Sequence, residues 1–288
     1  MTAQSVSSPG DAAHHTRHDD VTINTPHMPV TRALRDIRNG ALLFHVWGTL
    51  AWSDIRRRYK RSVLGPIWIT LSLAIFVGAL GYLYAHLFNR DLTVYMPHLT
   101  VGYICWTLLS QLVDSGARCF ISGEGIVKQL NVPVSVHAYR IVWSSLLTSA
   151  HHVVVYVIVA IAFAITPTLY SLMIIPGLAL IVLTGVPIAL LLGTISARFR
   201  DLPLVLQSIM RIMLFLTPVI WQPELVSRRA IFLTWNPLYH YIELIRSPLL
   251  NTPFNPFHWQ FAMMFTLASW IIALAVFIRF RARIAYWL

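Results

Sequence analysis

Charge is what this sequence has least of. Of 288 residues only 11 are Asp or Glu, and charged residues of both signs make up 11%, against roughly 25% in an ordinary soluble domain. With 57% hydrophobic residues and a mean hydropathy of +0.64, the chain has too little polar surface to cover a water-soluble globule. The composition is that of an integral membrane protein. Cysteine is almost absent as well: Cys105 and Cys119 fall 14 positions apart on one expected helix, about 21 Å of rise, which excludes an intrahelical disulfide. The formal net charge of +11 does not imply nucleic acid, because the basic residues flank apolar runs instead of forming a groove interleaved with aromatics.

Chemistry is scarce too. The sequence contains no G-x-x-x-x-G-K-[ST] phosphate loop, no H-E-x-x-H pair, no G-x-S-x-G elbow and no cluster of carboxylates within the apolar runs, so it offers no ATP site, zinc hydrolase site, serine nucleophile or proton relay. Asp114 and Arg211 are the charges legible inside the apolar runs. A lone pair is a poor engine for proton or sodium coupling, so uphill transport would draw its energy from another chain. His14, His15 and His18 lie in a polar N-terminal stretch of 30 residues with no apolar core of a signal peptide. That stretch reads as a solvated cytoplasmic tail, with nothing to fix a metal geometry.

What the chain does contain is long uncharged runs. From Ser62 to Asn89, and again over the 57 residues from Ile141 to Ala197, there is no Asp, Glu, Lys or Arg. A crossing needs roughly 20 apolar residues, and six runs meet that need, over about 63–88, 96–118, 138–165, 171–197, 203–221 and 258–279. The fold class is therefore an all-α integral membrane protein with six transmembrane helices. The fifth run is the weakest, being short and carrying Arg211. Charge supports keeping it: with both termini in the cytoplasm, 17 Lys and Arg fall inside, and Arg90, Arg228, Arg229 and Arg246 fall outside, as the positive-inside bias requires. A five-span alternative places Arg279, Arg281 and Arg283 outside.

Ahead of the first span, residues 31–61 read as an amphipathic interface helix. Thr31 is its expected N-cap; Leu34, Ile37, Ala41, Phe44, Ala51 and Ile55 recur at helical spacing, with Arg32, Arg35 and Arg38 on the other side. The cluster Arg56, Arg57, Arg58, Lys60 and Arg61 would anchor it to anionic headgroups before Gly65-Pro66 turns the chain into the bilayer. The longest inner loop, 122–135, holds Gly123 and Gly125, then one or two helical turns over Ile126–Leu130, then Pro133. Its mixture of apolar and charged residues suits a protein contact as well as a plain connector. The outer stretch 222–257 carries five prolines, yet Leu238, Tyr241, Ile242 and Ile245 keep helical spacing, the pattern of two short helices dipping back into the outer leaflet. Such backbone survives at membrane depth only where protein or water satisfies it.

The segments RRRYKRSVLGPIW (56–68), GEGIVKQL (123–130), RFRDL (198–202) and LTPVIW with WNPLYHYIELIRSPLL (216–250) resemble the permease subunits of type-2 polysaccharide ABC exporters, the family that moves O-antigen, galactan and teichoic acid chains. The resemblance runs from about Arg32 to the C-terminus, in order and spacing. It implies a homodimer in the bacterial inner membrane, each subunit docked on a separate ABC ATPase that binds ATP and Mg, with no cofactor, metal or catalytic residue on this chain. Glu124, Gly125, Ile126, Val127, Lys128, Gln129 and Leu130 would then form the coupling helix that enters the ATPase, and the outer short helices would gate the exit of a polyprenyl-linked polysaccharide.

A passage for sugars should offer aromatic faces, on which sugar C–H groups stack weakly enough for a polymer to slide. Tyr82, Tyr84, Tyr103, Trp106, Tyr139, Trp143, Trp221, Trp235 and Tyr239 are the candidates, with Trp221 and Trp235 nearest the expected exit; interfacial belts account for such residues equally well. Arg211 is open to three readings: a partner for Asp114, a contact for the lipid-linked diphosphate, or a residue at the dimer seam. Two other functions stay open. One is a drug or small-lipid exporter of the same architecture. The other is a membrane-embedded glycan transferase, for which the spans offer only Asp114 and the adjacent His151 and His152, whose side chains point to different helix faces.

Overall fold

A computed structural model describes residues 29–58, 60, 62–125, 132–223 and 231–288. The described residues are helical and contain no strand. The helices that lie wholly among the described residues follow in order: α1 (Pro29–Leu42), α2 (Phe44–Arg58), α3 (Ile67–Leu87), α4 (Leu92–Ala117), α5 (Val136–Ala162), α6 (Ile174–Arg198), α7 (Leu202–Leu216), α8 (Ile231–Thr234), α9 (Pro237–Leu249) and α10 (Pro256–Trp287). A short 3-10 turn, Leu169–Met173, leads into α6. Among the described residues five helices, α3, α4, α5, α6 with its 3-10 turn, and α10, are long and apolar enough to cross a membrane.

The fifth expected span is shorter than the sequence suggests. The run 203–221 becomes the 15-residue helix Leu202–Leu216, about 22 Å long against a hydrocarbon core of about 30 Å. Pro218 is the reason: it disfavours helical backbone in the residue before it, and Thr217 turns extended at φ −92°, ψ 136°. The interface helix also departs from expectation. It is two helices broken at Leu43, and Thr31 lies inside the first, not at its cap. The indole N–H of Trp47 donates to the Ala41 carbonyl at 3.4 Å, satisfying one of the carbonyls the break leaves open.

Helix α4 is the axis of the bundle and the most enclosed span. Its neighbours approach closely because small residues face each other, the usual device where no hydrophobic force drives helices together. A Cβ on Gly116 would lie 3.1 Å from the Ala189 Cα on α6. Three hydroxyls lock the middle of the bundle, Thr184 on α6, Tyr241 on α9 and Thr266 on α10, each pair at 2.8 Å.

The ends are tied side by side. At one end Asn251, after α9, meets the turn before α6, with its side-chain amide donating to the Thr166 carbonyl at 3.1 Å and the Thr168 hydroxyl at 2.5 Å from its Oδ1. At the other end Arg200, between α6 and α7, donates to the backbone carbonyls of Trp287 and Leu288 at 3.4 and 3.0 Å. Asp91 N-caps α4 by accepting from the Thr93 N–H, which holds its carboxyl below the usual range.

Candidate functional site

The base of the inner loop is built around one carboxylate. Asp36 on α1 has a fully enclosed side chain that accepts from the backbone N–H groups of Val134 and Ser135 at 3.3 and 3.0 Å, just before α5 begins, and from Arg281 Nε on α10 at 2.7 Å. The Ser135 hydroxyl returns a bond to the Asp36 carbonyl at 2.8 Å, and the Tyr139 hydroxyl donates to the Ile37 carbonyl at 3.2 Å. Gly40 makes the approach possible, because a Cβ there would fall 2.2 Å from Ser135 Oγ. One turn further on, Arg140 of α5 grips Asp54 of α2 through two bonds of 2.6 Å, a geometry suited to the guanidinium fork.

The buried face of α1 is therefore Ala33, Asp36 and Gly40. The apolar residues Leu34, Ala41 and, at the start of α2, Phe44 remain exposed. The expected apolar stripe of Leu34, Ile37, Ala41, Phe44, Ala51 and Ile55 does not face the membrane as a whole: Ile37 packs partly on the core, and Ala51 and Ile55 on α2 are buried inside the protein.

Glu124 and Gly125 are helical, and Gly123 sits on His137, where a Cβ would come 2.4 Å from the ring Nδ1. His137 is buried beside Phe120, and neither ring nitrogen has a hydrogen-bond partner among the described residues. The rest of the expected coupling helix, Ile126, Val127, Lys128, Gln129 and Leu130, lies outside the described residues. Of the anchor cluster, Arg56, Arg57 and Lys60 are exposed, while the Arg58 side chain and Arg61 also lie outside the described residues.

At the opposite end a second polar network is buried. Arg246 on α9 pairs with Glu243 one turn earlier, donates to the Pro218 carbonyl at 2.8 Å and lies 3.0 Å from His98 Nε2 on α4. The Ser247 hydroxyl donates to the second Glu243 oxygen at 3.0 Å. Gly102 leaves room for the guanidinium, whose Nη1 would be 3.2 Å from a Cβ there. The Tyr95 hydroxyl holds the Ile220 carbonyl, and the Asn236 amide donates to the Thr217 hydroxyl at 2.8 Å. The irregular stretch after α7 is thus satisfied by α4 and α9, as membrane-depth backbone requires. The sequence reading placed Arg246 in the outer stretch of short helices dipping back into the membrane and did not single out Glu243, Asp36 or Asp54. The Glu-x-x-Arg spacing within an apolar helical pattern was the available signal.

The candidate aromatics do not converge. Trp221 is half-buried, its indole N–H donating to the Phe215 carbonyl at 2.8 Å. Trp235 is exposed just before α9, and Tyr239 sets its ring edge-on to His258 at 5.2 Å. Tyr82 is exposed on α3 beside His86. Trp143 packs edge-on to Trp47 at 5.7 Å and lines a separate apolar cleft of about 500 Å³ between α4, α5 and α6. Trp106 is enclosed in the core. Arg211 is exposed on α7. Among the described residues no ion pair joins it to Asp114, whose Oδ1 lacks a hydrogen-bond partner. Arg118 and Arg211 are nonetheless the two basic groups whose charges act on the Asp114 carboxyl.

Comparison with known proteins agrees with the distribution of these features. The chain is 24% identical to an O-antigen export system permease protein RfbA of Klebsiella pneumoniae, over 86% of this chain and 96% of that one. It is 22% identical to an RfbA of Myxococcus xanthus, over 66% of this chain and 74% of the relative. It is also 22% identical to the polysialic acid transport protein KpsM of Escherichia coli, over 78% of this chain and 89% of the relative. The family described as ABC-2 type transporter matches residues 45–250, a stretch from the start of α2 to the end of α9, and the chain belongs to that family.

Proposed function

We propose that this chain is the permease subunit of an ABC exporter that carries a polyprenyl-linked polysaccharide across the bacterial inner membrane, working as a homodimer with a separate ATPase subunit. The observation that carries the reading is the near end-to-end likeness to O-antigen export permeases, 96% of one relative being covered. The lack of a phosphate loop in this sequence is consistent with ATP and Mg binding on the partner.

Six crossings with both ends in the cytoplasm fit the tied ends. Arg200 and Leu288 share one end of the bundle, and Asn251 and Thr166 share the other. The chain from Leu202 to Asn251 must therefore travel the whole length of the bundle, starting with short α7 and the turns that follow it. On this topology the Asp36 hub lies on the cytoplasmic side, at the root of the loop that carries Glu124 to Leu130. A push on that loop by the ATPase would reach α1 through Asp36, α10 through Arg281 and α5 through Ser135 and His137 together. The network of Glu243 and Arg246 would hold α9 as a rigid outer gate.

The test is depletion of the protein in its native cell, followed by locating polyprenyl-linked glycan. Full-length polymer collecting in the cytoplasm with loss of surface polymer is the expected result. Arrest of synthesis would point instead to a transferase, and unchanged glycan to a drug or lipid exporter.

A further inference from the structure

Beside the Asp36 hub lies an open cleft of about 650 Å³ formed by α1, the return of the inner loop and the end of α10, lined among others by Arg32, Arg35, Asn39, Leu42, Pro133 and Arg281. Three guanidinium groups converge on it. The buried Asp36 takes Arg281 Nε and one Nη of its fork, leaving further donors free to turn to the cleft. Among the described residues no carboxylate pairs with Arg32 or Arg35.

Depth in the membrane decides what such a cleft meets. Helix α10 is uncharged from Pro256 to Ile278, and Arg281 stands about 4.5 Å of helix rise beyond that run. That places it level with lipid headgroups, just outside the hydrocarbon. Helix α1 agrees: Val30, Leu34 and Ala41 are exposed on one side and need hydrocarbon against them, while Arg32 and Arg35 face the polar side. The cleft also has apolar flanks, Leu42 and Leu43, beside which the top of an acyl chain can lie. A protein partner reaching in from water would meet the cleft from its polar rim; a phospholipid is already at its level.

We propose that this cleft is a binding site for the phosphate of an anionic phospholipid, held by Arg32, Arg35 and the spare donors of Arg281. Asp36 already balances Arg281, and the single negative charge of the phosphate offsets part of the remaining repulsion between Arg32 and Arg35 and so favours α1 seated on the inner loop and α10. The site depends on the membrane placement of α1 and α10, not on the nature of the cargo, so it stands or falls separately from the polysaccharide reading.

The experiment places the full chain in nanodiscs of phosphatidylcholine alone or of equimolar phosphatidylcholine and phosphatidylglycerol. It reads the thermal unfolding midpoint and, by native mass spectrometry, the lipid retained. A ligand that binds only the folded state raises its stability with concentration. The expected result is a higher midpoint and retained phosphatidylglycerol for the natural protein, with most of both lost in Arg32→Gln/Arg35→Gln. The control Arg90→Gln/Arg279→Gln, altered at two exposed arginines that do not line this cleft, should keep them. Arg35→Glu should reverse the sign, so that phosphatidylglycerol lowers its midpoint, an outcome that misfolding would not produce.

A midpoint rise that persists in Arg32→Gln/Arg35→Gln would overturn the proposal, as would equal loss in the control pair. A polyprenyl diphosphate that acts in phosphatidylcholine discs where phosphatidylglycerol does not would assign the site to the carrier lipid instead. If phosphatidylglycerol has no effect and the double variant loses only its hold on the ATPase subunit, the cleft is a protein contact and the lipid assignment is wrong.

Discussion

At the scale of single residues, two buried charges organise the two ends of the molecule. Asp36 has three donors from two other elements, so Asp36→Asn keeps the shape but gives up the charge and turns one donor against another. We expect a loss of about 1–3 kcal/mol, read as a lower unfolding midpoint, together with reduced export at normal membrane levels. Adding Arg281→Gln should recover part of the loss, since both partners are then neutral. Glu243 is the stronger case because Arg246 is buried with it. Glu243→Gln leaves a guanidinium without its counter-charge and should cost about 3–5 kcal/mol, whereas Glu243→Leu with Arg246→Met should come close to the natural stability. A double variant no better than Glu243→Gln alone would mean that the bonds to Pro218 and His98, not the charge pair, hold α9 in place. Nothing local in the sequence marks Asp36, a single acid among the arginines of α1, as a hub. Its role comes from α5 and α10, whose sequence distances of about 100 and 245 residues no local pattern spans.

At the scale of elements, close packing of α4 on α6 is the feature most exposed to a single change. Gly116 has the Ala189 backbone 3.1 Å from its would-be Cβ, and Gly193 across the seam has Cys119 Sγ at 2.4 Å. Backbone cannot yield as a side-chain tip can. Gly116→Val should therefore cost about 1–3 kcal/mol through forced separation, seen as a lower midpoint and less folded protein recovered from membranes. The positions of α3, α4, α5, α6 and α10 were legible from run length alone, because an uncharged stretch of that size has one solution in a bilayer. The end of α7 at Leu216 was legible in principle from Pro218, but hydropathy continues through Trp221 and masked it. The break at Leu43 was not: helical spacing runs unbroken across it. What divides α1 from α2 is tertiary, Gly40 seated on Ser135 and Trp47 stacked on Tyr139 at 6.4 Å. The candidate site was legible in the same uneven way, with its loops marked by Gly and Pro and its buried ion pairs hidden.

At the scale of the whole molecule, the number of crossings decides which side of the membrane each proposed part works on. Parity makes the question sharp. If the chain crosses between Leu202 and Asn251, its ends share a side; if it does not, Tyr286 near the C-terminus lies opposite α1. Yet α1 and α10 are joined at Asp36 and Arg281, and Arg200 reaches the carbonyl of Leu288. A chain that ended on the opposite side from α1 would have to break both contacts. The natural cysteines make the test simple, because Cys105 and Cys119 are 3% and 1% exposed and should stay silent to a membrane-impermeant maleimide. Single cysteines at Asn89, Asn251 and Tyr286 would then report one site each. Asn89 and Asn251 should react in intact spheroplasts, and Tyr286, 89% exposed, only after permeabilisation. Labelling of Asn251 and Tyr286 from the same side would remove the last crossing. Labelling of Asn89 from the inside alone would invert the whole orientation, and with it the assignment of the Asp36 hub to the side where an ATPase subunit can push.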